Sequence, residues 1–174
     1  VSEECIPPIL PESIIFRKLA HEGPGKHNLD STDFRRRGAG LSAADNEEAY
    51  PAHPRIHPHT DNSTSCINKI IAEVVGESLC DVGCGTGYLI ETIHQAKFST
   101  LKKCVGVDFV VPKTDLDGVQ LIEAPIEKLP FADAEFDTVV CTHVLEHILD
   151  SAKAITELRR ISRRRLIIVV PRER

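Results

Sequence analysis

Residues Leu79-Cys80-Asp81-Val82-Gly83-Cys84-Gly85-Thr86-Gly87-Tyr88-Leu89 read as a short apolar strand that runs directly into three glycines at alternate positions and then into a helix. Glycine lets the backbone take positive φ and approach a ligand closely. The first amides of the following helix point outward with partial positive charge. Strand, tight turn and helix in that order build the floor of a nucleotide site in a Rossmann-like sheet. The dinucleotide fingerprint G-x-G-x-x-G fails here, because Tyr88 stands where its third glycine belongs. Asp81, two residues ahead of the first glycine, would face a pyrophosphate unfavourably. It suits a ligand that carries an ammonium or sulfonium group.

The rest of the chain supplies the sheet that such a loop requires. Ile67, Ile70, Ile71, Val74 and Val75 fall at i, i+3, i+4, i+7 and i+8, which predicts an amphipathic helix with caps among residues 62–65 and a stop at Gly76. Strands are predicted at 78–82, 104–108, 119–123, 136–142 and 166–170, with helices at 88–96 and 151–161. Ala154, Ile155, Leu158 and Ile161 share one face of the last helix. The final strand is a continuous apolar run ended by Pro171, as expected of a strand buried on both sides. This alternation predicts an α/β fold: a doubly wound, mostly parallel Rossmann-like sheet flanked by helices, its ligand crevice at the carboxyl ends of the strands. Residues 1–61 are rich in Pro, Gly, His and charge and show no sustained period. They are expected to be an irregular N-terminal segment, a lid or substrate-selecting region ahead of a binding domain at 62–174, with 14–19 as a short helix or hydrophobic anchor.

Length and charge exclude several classes. A chain of 174 residues is most simply one domain. A net charge of -5 gives no general attraction to nucleic acid or to a membrane surface, and no apolar run approaches the length of a bilayer span. Residues 1–20 are broken by Pro7, Pro8, Pro11 and charges, unlike a signal peptide. The six cysteines (Cys5, Cys66, Cys80, Cys84, Cys104, Cys141) include no C-x-x-C pair. They read as reduced, mostly buried thiols of a cytoplasmic protein rather than a disulfide framework. Methionine is absent throughout, even at position 1, which is expected of a processed or truncated chain or of a sequence with residues left out. Nothing in the sequence sets an oligomeric state.

Taken together, the D-x-G-x-G-x-G loop from Asp81 to Gly87, the stretch Glu127-Lys128-Leu129-Pro130-Phe131-Ala132-Asp133-Ala134-Glu135-Phe136-Asp137-Thr138-Val139-Val140 and the run His143-Val144-Leu145-Glu146-His147-Ile148 resemble class I S-adenosylmethionine-dependent methyltransferases. The likeness covers roughly residues 67–171 and is nearest to the subfamily that includes small-molecule and quinone-precursor methyltransferases. It implies S-adenosyl-L-methionine as cofactor and a small-molecule acceptor. In that family two further strands normally follow, one of them antiparallel; the sequence ends at Arg174 without them, which is expected of a truncated sheet.

The resemblance also implies roles for particular residues. Asp81, Gly83, Cys84, Gly85 and Gly87 would hold the methionine and ribose portions, with Asp81 reaching the ammonium. Asp108, followed by Phe109, would accept the ribose hydroxyls. An Asp that commonly binds the adenine amine is replaced by Pro125, leaving that ring to the backbone near Ile126, to apolar packing and to Glu127. Thr142 and His143 would lie beneath the sulfonium methyl, and His143 or His147 would act as base toward a hydroxyl or amine acceptor.

Competing readings attach to several of these residues. His143, Glu146 and His147 form H-x-x-E-H, a spacing also found on zinc-protease helices and close to an E-x-x-E-H set that holds a divalent ion in some relatives. No metal is the favoured expectation, because His143 in place of the first Glu makes the set poorly suited to magnesium. His53, His57 and His59 lie in a proline-punctuated, extended segment that either covers the cofactor or is a solvated loop. Arg159, Arg160, Arg163, Arg164 and Arg165 lack interleaved aromatics and read as a solvated helix end rather than an RNA site. The rival function is a catalytically inactive cofactor-binding interaction or regulatory protein. A nicotinamide-dependent oxidoreductase fits less well.

Overall fold

Residues 12–17, 60–113 and 115–171 are described by the computed structural model. Along the chain they form strand β1 (Glu12–Arg17), helix α1 (Thr64–Glu73), β2 (Ser78–Val82), helix α2 (Tyr88–Ala96), β3 (Lys103–Asp108), β4 (Gln120–Glu123), β5 (Phe136–Thr142), a short 3-10 turn (Leu145–His147), helix α3 (Ser151–Ile161) and β6 (Ser162–Val170). The six strands make one open sheet in the order β1-β6-β5-β2-β3-β4, and every pairing between neighbours is parallel.

Parallel strands buried on both faces need apolar residues at every position, and the two faces then go to different helices. Cys80, Val82, Val139, Cys141, Leu166 and Ile168 face α3, where they meet Ala154, Leu158 and Ile161. The intervening Leu79, Val140, Ile167 and Val169 face the opposite way, against Ile67, Ile70 and Val74 of α1 and Leu89, Ile90 and Ile93 of α2. Helices thus cover both sides of the sheet, as the alternation of periods predicts. Phe136, fully buried, anchors the α3 side with Phe131 edge-on to it, the ring centroids 4.9 Å apart.

From β2 the chain winds outward through β3 to β4, then returns to the other side of β2 to form β5 and β6. The reversal falls between β2 and β5. In sheets of this kind the crevice outside the carboxyl ends of those two strands is where ligands bind. At the opposite end of the sheet, Asp137 accepts from the backbone N–H of Glu77 at 2.9 Å and from the Ser78 hydroxyl at 3.0 Å. Gly76, at φ +77, passes so close that a Cβ there would lie 2.3 Å from the Asp137 side chain, so only glycine fits between α1 and β2.

Two expectations need correction. Residues 12–17, expected as part of an irregular segment with a short helix or anchor at 14–19, are a strand whose Ile14 and Ile15 pair with Ile167 and Ile168. Six residues with consecutive β-branched positions satisfy their backbone better beside the open edge of β6 than in an isolated turn of helix. Strand β6 also begins four residues earlier than residue 166, so Arg163, Arg164 and Arg165 belong to a strand and not to the end of α3. Arg163 Nη1 lies 3.3 Å from Asp137 Oδ1, and Arg165 pairs with Glu73 of α1. Arg160, the last-turn arginine, spans Glu157, Asp133 and the carbonyls of Phe131 and Leu129. These arginines tie elements together instead of forming a solvated helix end.

Candidate functional site

The glycine loop folds back on β3. The N–H groups of Gly83 and Cys84 both donate to Val107 O, at 2.7 and 3.0 Å, and Gly85 N–H donates to Asp108 Oδ2 at 2.7 Å. Asp108 Oδ1 takes the N–H of Phe109 at 2.7 Å. Asp108 thus organises the loop through the backbone N–H groups of Gly85, Phe109 and Val110. Burial pushes its carboxyl above the ordinary value, an effect held in check by the N–H groups of Gly85, Phe109 and Val110.

The three glycines have left-handed φ values of +81, +53 and +81 for Gly83, Gly85 and Gly87, but they make room for different things. A Cβ on Gly83 would sit 2.0 Å from Val144 Cγ2, and one on Gly87 would sit 2.3 Å from Leu116 Cδ1. At Gly85 a Cβ would meet nothing within 4 Å. The outer two glycines therefore admit neighbouring side chains, while Gly85 alone borders open space. Val144 and Leu116 carry no sequence pattern that would have marked them.

Asp81 is 1% exposed, and neither of its carboxylate oxygens has a hydrogen-bond partner. Burial first, and the Asp108 charge second, push its carboxyl up to about 7. An unpartnered carboxylate in such a place is costly, and a ligand cation placed beside it would remove that cost. Buried Cys84 and Cys141 stand close enough for Asp81 to add to the upward shift of their thiols, after burial itself, which keeps both protonated and unreactive. Cys80, Cys84, Cys104 and Cys141 are free thiols.

On the other side of the crevice β5 ends in Thr142 and His143. His143 adopts φ +56, uncommon for a residue with a side chain, and is held there by donating its N–H to Val169 O at 2.9 Å. Its Nε2 is buried without a partner, and its Nδ1 lies 3.5 Å from Glu146 Oε1. Thr142 Oγ1 accepts from Asn62 Nδ2 at 3.1 Å. Asn62 is 2% exposed, and its Oδ1 accepts from the Cys66 thiol at 3.5 Å. Of the cap candidates at 62–65, Ser63 is the cap, and Asn62 instead ties the approach to α1 onto the end of β5. Glu146 and His147 lie in the 3-10 turn, not on a helix. Among the described residues no three His, Cys, Asp or Glu side chains gather as a metal-ligand set.

Ile126 is buried in the core, Pro125 is exposed and Glu127 is half-buried, while Phe109 is exposed at the end of β3. Lys128 N–H donates to Pro125 O at 3.1 Å, closing a turn around Ile126. His53, His57 and His59 lie outside the described residues. No helix among the described residues is long and apolar enough to cross a membrane.

An open parallel sheet with a glycine loop after β2, acidic groups at the ends of β2 and β3 and a strand-order reversal between β2 and β5 defines a Rossmann-like α/β domain. The chain belongs to the methyltransferase domain family, whose model matches residues 80–170. It is 30% identical over 116 residues to an O-methyltransferase of Aspergillus nomiae, covering 62% of this chain and 52% of that protein. It is 24% identical over 100 residues to a ubiquinone/menaquinone biosynthesis C-methyltransferase of Campylobacter jejuni, covering 53% and 43%. The chain thus spans about half the length of these curated relatives or less. Among solved structures, a candidate methyltransferase from an antibiotic biosynthesis pathway of Anabaena variabilis shares the fold, with a TM-score of 0.52, 19% identity and coverage of 63% of this chain and 46% of that one.

Proposed function

We propose that this chain is the S-adenosyl-L-methionine-binding domain of a methyltransferase that acts on a small-molecule acceptor by in-line displacement. The observation that carries the reading is the buried, doubly unpartnered carboxylate of Asp81, behind a loop whose Gly85 borders open space. That group fits an ammonium, and Asp108 beside it fits vicinal hydroxyls. Bound there, the cofactor supplies an electrophilic methyl on a sulfonium. Asp81 would neutralise the amino-acid end, Asp108 would fix the ribose, and the loop held by Asp108 and Val107 would keep both in one register.

No protein nucleophile is needed for such a transfer, so alignment and exclusion of water carry most of the rate. An acceptor with an O–H or N–H also needs a base. Of the two histidines His143 suits that role better, because its Nε2 is sequestered and unpartnered, whereas His147 is exposed. Calorimetry with S-adenosylmethionine and S-adenosylhomocysteine tests the cofactor assignment: binding in the micromolar range is expected, and preference for NAD over both would overturn it. A methyl-donor assay over a metabolite panel separates an active enzyme from a cofactor-binding regulator. Replacing His143 by Ala should lower turnover far more than cofactor affinity.

A further inference from the structure

We propose that Glu146 is a positioning residue that fixes the neutral form of His143 with hydrogen on Nδ1, leaving Nε2 as the bare, proton-accepting nitrogen. The inference rests on His143 as the base and adds what sets its proton. Three observations carry it. The backbone of His143 is held in a left-handed conformation at φ +56 by a 2.9 Å hydrogen bond from its N–H to Val169 O. The next polar side chain along the same turn, Glu146, brings Oε1 to 3.5 Å from Nδ1, with the two side chains 11% and 23% exposed. The other ring nitrogen, Nε2, is buried and has no partner.

An ionised carboxylate only accepts hydrogen bonds. A ring nitrogen facing it across that distance is favoured as N–H, since a bare lone pair would be repelled. The neutral ring then keeps its single hydrogen on Nδ1, and the sequestered Nε2 holds only a lone pair. The opposite tautomer would bury an N–H donor without an acceptor and set two lone pairs against each other, which combines two penalties. When an acceptor gives up its proton to Nε2, the resulting imidazolium keeps its Nδ1 hydrogen toward the Glu146 carboxylate, and the pair is neutral overall. A carboxylate holding the far nitrogen of a histidine base orients the ring and balances the charge it gains.

The test is the tautomeric state of His143, read from long-range nitrogen–proton correlation spectra of the ligand-free chain at about pH 8, above the ordinary imidazole range. The wild type should show the Nδ1–H form. Glu146→Ala removes the carboxylate but leaves Nε2 buried, so it should raise the Nε2–H fraction of His143 measurably above the wild-type value without making it the sole form, while Glu146→Gln, which retains an acceptor oxygen, should bring the ratio back toward Nδ1–H. An Nε2–H form in the wild type, or no change in Glu146→Ala, would overturn the proposal. Should Glu146→Ala not fold, Glu146→Ser, which also withdraws the carboxylate, takes its place, and an Nε2–H wild type overturns the proposal in either case. Binding of S-adenosylhomocysteine, measured on the same samples, addresses the cofactor assignment separately: its absence would remove that reading and leave the tautomer result standing.

Discussion

Asp81 concentrates the conflict between stability and binding in one side chain. Its carboxyl is raised from the ordinary 3.8 to about 7 by burial and by Asp108, so the folded chain holds a proton more tightly than the unfolded one. The contribution of Asp81 to stability is therefore fully present below 3.8 and is lost as the pH rises through about 7, a loss on the order of 4 kcal/mol. Asp81→Asn should raise the melting temperature of the ligand-free chain at pH 8 while changing it little at pH 4. The same substitution should weaken S-adenosylhomocysteine binding at least tenfold. In the wild type, affinity for that ligand should fall as the pH drops below about 7, because the ammonium requires the carboxylate, and Asp81→Asn should flatten this dependence. A wild-type affinity flat from pH 8 to 5 would show that Asp81 does not meet the ammonium. Asp81 could be picked out from its spacing to Gly83 alone, because a carboxylate on the floor of a glycine loop has chemical meaning wherever the chain goes next. Val144, Leu116 and Asn62 could not, since their importance lies in what they touch.

The loop between β2 and α2 shows how one pattern of residues divides its labour. Gly83→Ala would drive a Cβ into Val144; it should cost stability beyond the left-handed strain of about 1–2 kcal/mol, and adding Val144→Ala should recover part of the loss. Gly85→Ala has open space around its Cβ, so urea unfolding should register little more than the backbone strain while cofactor binding drops sharply. Equal stability losses in the two variants would contradict this division. At the far side of the molecule, Arg160 links α3 to the segment before β5 through Glu157, Asp133 and two backbone carbonyls. Arg160→Ala should cost about 1–3 kcal/mol in denaturant unfolding. Composition alone made these arginines look solvated, because a cation near a helix end needs no partner; the partners come from loops some 29 residues away in sequence.

For the molecule as a whole, β1 decides where the sheet ends. Strand β6 is buried along residues 166–169, and without β1 its backbone N–H and C=O groups would form an open edge. Deleting residues 1–17 should lower the melting temperature and promote self-association, read by light scattering; a truncated chain that scatters no more than the full chain and is equally stable would show that β1 contributes nothing to the edge. The sequence by itself determined the core from α1 to β6, with element boundaries correct to within a few residues, because alternating periods of burial are local properties that each segment carries. It also determined the acidic glycine loop and Asp108, since both stand at the ends of recognisable strands. Only the tertiary structure decided that residues 12–17 form the edge strand beside β6, that Gly83 and Gly87 serve packing while Gly85 borders open space, and that Glu146 stands against His143. Those depend on distances between segments far apart in the chain, or on a strained backbone angle at one residue, and no local pattern encodes either.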